Sequence, residues 1–314
     1  MYFGSVRFFK HLILSTVALM IIVPTVLAVY FGASNHKNKL YAEKLENQIA
    51  SAEQVQTEHI DGIKPSPVIS VPTYEYQTKY DNLYVESGSF AETENDKPVI
   101  YLTFDDGPSR NTAQVLDILK ENNIKATFFV VNSDIDGHEE LYRRIVNEGH
   151  TIGIHTYSHR YRDIYNSVDD YLADFEKIFN KVYEITGVKP DIFRVPGGSI
   201  NVYNQNIYVE LIAEMLRRGF TYYDWNVSSC DAGQIYSTTQ IQNAVVQGIG
   251  SKDKSIVLMH DSSTKQATVA ALQGIIDNYK ETHEFRALDN TVEPAVFTYI
   301  DNNIGNGYKQ NVIN

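Results

Sequence analysis

The run Lys97-Pro-Val-Ile-Tyr-Leu-Thr-Phe-Asp-Asp-Gly-Pro108 decides the fold of this 314-residue chain. Val99 to Phe104 are all apolar or β-prone, and the segment stops on two adjacent carboxylates and a Gly-Pro turn. A helical pattern, Thr112–Asn122, follows at once. The same order of strand, polar turn and helix recurs downstream. Strand-like runs continue at Ala126–Val131, Thr151–His155, Ile192–Val195, Thr221–Val227, Ile256–His260 and Ala295–Ile300. Helical patterns lie between them at Glu139–Asn147, Asp170–Thr186, Asn206–Arg218, Thr239–Gln247 and Lys265–Lys280. Parallel neighbours need a crossover, so this alternation predicts an α/β protein with a parallel sheet. Seven strands fit a barrel one unit short of eight or an open doubly wound sheet, and the pattern leaves both standing.

Ionisable residues gather where these strands end. Asp105 and Asp106 follow the first strand, His155 and His159 the third, Arg194 ends the fourth, Asp231 follows the fifth, and His260 closes the sixth. Sites in parallel α/β folds assemble on that C-terminal edge. His155-Thr-Tyr-Ser-His159 offers two imidazoles four residues apart, and Asp106 can add a carboxylate oxygen. Two His and one Asp, with positions left for water and substrate, suit a catalytic zinc. Asp105 and Asp106 on an irregular turn point differently, so one can hold metal while the other faces the reacting water. Read singly, each feature has a plainer account: a solvated Asp-Asp-Gly-Pro turn, surface histidines, a core His260, and Asp261 as a helix cap. Cys230 is read as a small buried hydrophobe rather than a nucleophile.

The rest of the chain sets limits. Net charge is −12, with no Lys/Arg cluster to meet a phosphate backbone, which excludes nucleic-acid binding. Cys230 is the only cysteine, so no intrachain disulfide forms. Leu12 to Ala33 carries no charge and follows Arg7 and Lys10. At helical rise it spans a bilayer core, and Phe31-Gly32-Ala33 is a poor cleavage site, so the segment reads as an uncleaved signal anchor. The expected organisation is a cytoplasmic N-terminus (1–11), a transmembrane anchor (12–33), a stalk and linker (34–96), an extracellular catalytic domain (97–300) and a tail (301–314).

The motifs, taken in order, resemble the polysaccharide deacetylases related to the nodulation deacetylase, carbohydrate esterase family 4. Thr103-Phe-Asp-Asp-Gly107 is similar to the first motif, His155-Thr-Tyr-Ser-His159 to the second, and Arg194-Val-Pro-Gly-Gly198 to the third. Trp225-Asn-Val-Ser-Ser-Cys-Asp231 resembles the fourth and Leu258-Met-His260 the fifth. The resemblance covers about residues 97–300 and implies a distorted seven-stranded (β/α) barrel. It implies that Asp106, His155 and His159 bind Zn2+ or another divalent ion such as Co2+. Asp105 would then be the general base and His260 the general acid. Arg194 would hold Asp105 ionised, Asp231 would hold His260 protonated, Leu258 would line the acetyl-methyl pocket, and the Gly197 amide would meet the oxyanion. Two positions depart from the family: Gly197 stands where an aromatic is frequent, and Ala232 where a tryptophan is common.

The expected activity is metal-dependent removal of N-acetyl groups from amino sugars of an extracellular polysaccharide, with peptidoglycan foremost. Chitin oligomers or an exopolysaccharide are the alternative substrates. A non-catalytic glycan-binding surface protein is the alternative class, and it would have no need of both Asp105 and His260.

Overall fold

Strand β1 (Val99–Asp105) lies in the middle of a wholly parallel sheet. Beside it run β2 (Thr127–Val130), β3 (Thr151–Ile154), β4 (Ile192–Phe193) and β5 (Thr221–Tyr222) on one side. On the other run β7 (Lys254–His260) and β6 (Val227–Ser228). In this computed structural model residues 74–90, 95–233 and 237–297 are described. The expected anchor at 12–33 and tail at 301–314 lie outside them. Among the described residues no helix is long and apolar enough to cross a membrane.

Connectivity shows that the sheet is curled. β5 and β6 stand at opposite ends of the strand order, yet only residues 223–226 join them. Five Cα–Cα steps reach at most ~19 Å. Six flat interstrand spacings need roughly 29 Å. The two ends therefore approach one another, giving a half-barrel that is left open where β5 and β6 share no ladder. An eighth strand, β8 (Glu284–Phe285), pairs with Val99 and Ile100. Since β7 pairs along all of β1, β8 takes the other edge, below the point where β2 begins at Thr103.

The two-residue period of β1 then builds two cores. Ile100, Leu102 and Phe104 face the helices, and Val99 and Tyr101 face the concave interior with Phe129, Ile192, Tyr223, Ile256 and Leu288. Thr103 and Asp105 continue the inward phase, so the strand delivers Asp105 to the mouth of the half-barrel. On β7 the same period places Ile256, Leu258 and His260 in one phase.

Among the described residues seven α-helices accompany the strands: α1 (Arg110–Glu121), α2 (His138–Asn147), the short α3 (Tyr161–Ile164), α4 (Val168–Thr186), α5 (Tyr208–Arg217), α6 (Thr238–Ile249) and α7 (Gln266–Tyr279). In α4, Ser167 caps the first turn by accepting from the Asp170 amide, and Gly187 ends the helix with φ of 74°. Its buried face, Tyr171, Leu172, Phe175, Ile178, Phe179 and Val182, follows the helical period. Phe175 meets Phe193 edge-on at 5.9 Å and Phe220 at 5.2 Å, which fixes α4 against β4.

Residues 74–90, placed by the sequence in the linker, pack on α4 and α5. Fully buried Arg218 donates to Glu214 Oε1 at 2.6 Å and to the carbonyls of Tyr76, Lys79 and Tyr80 at 2.9–3.1 Å. Lys79 and Tyr80 reach Asp169 at 3.0 and 2.9 Å. Gly219 has φ of 94°, and a Cβ there would sit 2.1 Å from the Val85 carbonyl, so only glycine lets this strap lie down.

Two strand expectations change. Thr221–Val227 is not continuous, because the chain leaves β5 at Tyr223 to cross the open edge before entering β6. Ala295–Phe297 is irregular, since Asp224 captures this segment through single backbone contacts, and 298–300 lies outside the described residues. The short β8 replaces it as the last strand.

Candidate active site

Asp105 ends β1 inside the barrel mouth, 2% exposed. Its Oδ1 accepts from Arg194 Nη1 at 2.9 Å. The same guanidinium donates to Thr103 Oγ1 (2.7 Å) and to the carbonyls of Tyr223 (2.9 Å) and Asp224 (3.0 Å). It lies 4.3 Å above the Phe129 ring. Every face of this buried cation is thus occupied, as desolvation demands. Burial raises the Asp105 carboxyl, and Arg194 opposes that shift without reversing it. At complete burial the loss of water outweighs one cation, so the charge of Arg194 offsets only part of the rise.

After Asp105 the backbone swings into the left-handed region at Asp106 (φ 71°), and both carboxylates approach His155 Nε2, Asp105 Oδ2 at 3.9 Å. Asp106 Oδ1 lies 3.2 Å from His159 Nε2 and 3.6 Å from His155 Nε2. His155 Nδ1 is 2.6 Å from the Arg194 carbonyl, which can only accept, so the proton sits on Nδ1. Burial lowers the ring to about 3, keeping it neutral with a lone pair on Nε2. Asp106 Oδ1 is buried and has no hydrogen-bond donor among the described residues. Ligand atoms from Asp106, His155 and His159 all fall within 4.8 Å of one another. A lone pair facing an orphaned carboxylate oxygen fits a cation between them, and an N2O set fits a divalent transition ion.

His260 ends β7 opposite Asp105, with which it is in register. Asp231 Oδ1 lies 2.7 Å from His260 Nδ1, and Asp231 Oδ2 accepts from the His260 amide (2.9 Å) and Thr268 Oγ1 (2.7 Å). Burial alone would lower this imidazole, but the hydrogen bond and charge of Asp231, with Asp105 and Asp106 beyond, raise it to about 8. For Asp231, burial pushes upward and the bond to His260 prevails, holding it below the usual carboxylate range. Lys265 Nζ clamps this loop through the carbonyls of Asp231 (2.5 Å) and Ala232 (3.1 Å).

Leu258 is buried one inward step before His260. Gly197 (φ 77°) and Gly198 (φ 90°) form the turn after Arg194, closed by Gly198 N–H to the Val195 carbonyl at 2.8 Å. The Gly197 amide makes no hydrogen bond among the described residues. Ala232 is exposed at the rim, and Trp225 sits against Phe297 (4.8 Å) and over Arg194 (5.8 Å).

Asp261, whose plainer account was a helix cap, is fully buried, and α7 begins only at Gln266. It accepts from Thr112 Oγ1 at 2.5 Å, and burial raises it to about 7. Its carboxyl fills the space where a Gly107 Cβ would stand. Asp224 was not singled out from sequence; it accepts from Ser199 and the Phe297 amide and braces the glycine turn. Cys230 is exposed rather than buried: Val227, Ser229 and Asp231 take the inward phase, and Cys230 falls on the other.

Comparison with known proteins adds a name to this geometry. The family model described as polysaccharide deacetylase matches residues 92–216. A peptidoglycan-N-acetylglucosamine deacetylase of Bacillus cereus is 34% identical over 192 residues, covering 60% of this chain and 85% of that protein. The catalytic domain of a peptidoglycan N-acetylglucosamine deacetylase from Eubacterium rectale superposes with a TM-score of 0.62 at 37% identity, covering 67% of this chain and 97% of that one. The polysaccharide deacetylase Bc1974 from Bacillus cereus gives 0.57 at 30% identity, covering 64% and 97%.

Proposed function

We propose that this chain, which belongs to the polysaccharide deacetylase family, removes N-acetyl groups from the amino sugars of peptidoglycan. One observation carries the reading: the Asp105–Arg194 and His260–Asp231 pairs lie on adjacent strands beside the Asp106–His155–His159 cluster. The relatives named as peptidoglycan-N-acetylglucosamine deacetylases support the substrate.

Zn2+ or Co2+ held by Asp106, His155 and His159 would supply Lewis acidity, polarising the acetyl carbonyl and easing ionisation of water near neutral pH. The protein residues supply the proton transfers. Arg194 ties up Asp105 Oδ1, leaving Oδ2 to accept the proton of the attacking water. The Gly197 amide is a donor for the developing oxyanion. With Nδ1 engaged by Asp231, His260 presents Nε2–H to the departing nitrogen, which otherwise would leave as an anion. Acetate and a free amino sugar result. Leu258, in the same phase as His260, offers an apolar wall to the acetyl methyl.

The uncharged run Leu12–Ala33 behind Arg7 and Lys10 supports a single-pass anchor with the catalytic domain outside the cell, where peptidoglycan lies. The decisive experiment incubates a soluble form of residues 70–314, loaded with Zn2+, with peptidoglycan and with chitin oligomers, then maps free amines by mass spectrometry. New amines on peptidoglycan support the proposal. Amines on chitin alone reassign the substrate, and no acetate from either overturns the activity.

A further inference from the structure

The side-chain space at Gly197 is crowded. A Cβ built there would stand 3.0 Å from Tyr161 Oη and 3.3 Å from Asn201 Nδ2. Tyr161 opens α3, immediately after His159 and Arg160, so the loop bearing one candidate metal ligand also carries a phenol across to the glycine turn. Its ring is tilted against His159 at 5.3 Å and against Tyr165 at 5.6 Å. Tyr203 meets it edge-on at 5.0 Å. Tyr165 donates its hydroxyl to the Pro196 carbonyl, which ties α3 to the turn and fixes the position of Tyr161.

The two hydroxyls differ in what they do. That of Tyr165 is spent inside the fold, whereas that of Tyr161 has no hydrogen-bond partner among the described residues. Beyond it, Tyr203 is 57% exposed and Val202 76% exposed, so an aromatic edge continues from the cluster to the surface. A half-buried, rigidly held and unspent hydroxyl is a ready hydrogen-bonding group, and an adjoining exposed aromatic is a ready apolar platform. A pyranose offers the complement to both: hydroxyls around its edge and C–H bonds across its face.

We propose that Tyr161 and Tyr203 recognise the acetylated sugar ring, Tyr161 by a hydrogen bond from its hydroxyl to a ring hydroxyl and Tyr203 by packing on the ring face. The inference rests on the deacetylase reading and makes these two tyrosines specificity-determining residues. Glycine suits position 197 on two counts: its φ is 77°, and a Cβ there would crowd the recognising hydroxyl that arrives from α3.

The test compares wild type, Tyr161→Phe and Tyr203→Ala, each as the full chain in detergent with Zn2+, in two measurements. Steady-state kinetics on an N-acetylglucosamine oligomer should show KM raised about 3- to 10-fold in each variant, the worth of one neutral hydrogen bond or one ring contact. Calorimetric binding of the same oligomer to the metal-free proteins should weaken by a similar factor, independently of catalysis. Tyr161→Phe should keep its melting temperature, since the hydroxyl holds nothing in the fold. Unchanged KM and binding in both variants of an active enzyme overturn this inference and leave the deacetylase reading intact. A fall in kcat with KM unmoved also overturns it, because the contact would belong to the transition state. A wild type that binds the oligomer but releases no acetate from it or from peptidoglycan fails the deacetylase reading, whereas weakened binding in the variants would still support recognition.

Discussion

The Nδ1–H of His155 donates to the backbone carbonyl of Arg194 at 2.6 Å, while the Arg194 side chain holds Asp105 at 2.9 Å. One residue therefore sets the tautomer of a candidate metal ligand through its main chain and restrains the base through its guanidinium.

Removing a ligand should empty the cluster. His155→Ala leaves one imidazole and one carboxylate, too few to retain a divalent ion against dialysis. Elemental analysis should find most of the metal gone, with activity lost in parallel. Full occupancy in that variant excludes His155 as a ligand.

The basic limb of the pH profile should belong to His260. Raised from 6.5 to about 8, its imidazolium is available below that value and disappears above it. The pair's contribution to stability has the same sign: fully present below about 6.5 and lost as pH rises through about 8. Asp231→Asn keeps the shape and removes the charge, so burial prevails and the basic limb should move down by about one unit or more. A superimposable profile would refute the pairing.

Arg194→Lys should be far from conservative. Lysine has three donors on a point charge and cannot span Asp105, Tyr223 O and Asp224 O as the planar fork does. Turnover should fall by at least about tenfold, and urea denaturation should show a stability loss of about 3 kcal/mol or more, the range for breaking a buried ion pair. Wild-type kinetics in this variant would remove Arg194 from the site.

The strap at 74–90 should be part of the folding unit. Arg218→Ala takes one of two cations from the buried Glu214 carboxylate, which keeps Arg217, and removes a donor from three carbonyls, a loss of about 1–3 kcal/mol measurable by denaturant titration. A chain starting at Lys97 should lose comparable stability and gain protease sensitivity. Equal stability of the two lengths would show the strap to be dispensable.

Topology is tested on intact cells. Protease shaving should release the catalytic domain from an anchor at Leu12–Ala33. Protection until lysis would place the domain on the other side of the membrane.

Much of the site was legible because strand chemistry is periodic. Val99–Asp105 shows where a strand ends, and the carboxylates there mark the edge where sites form. The break between β5 and β6 was not legible, because nothing in Thr221–Val227 announces that its middle crosses a gap. Asp261 looked like a cap because burial by a distant segment, the Gly107 turn, leaves no local trace. Tyr161 escaped for the same reason: the Gly197 turn that it approaches lies far along the chain. The strap lacked a period of its own, since Arg218, more than a hundred residues away, supplies its order.

The open edge between β5 and β6 has a consequence for the chemistry. Had those strands zipped together, their ladder would have consumed the main-chain acceptors of residues 223 and 224. Left unclaimed, these oxygens bind the Arg194 guanidinium, which crosses from β4 to rivet the crossing segment while steadying Asp105. The missing rung is thus a socket: closing the barrel would evict the cation on which the base depends.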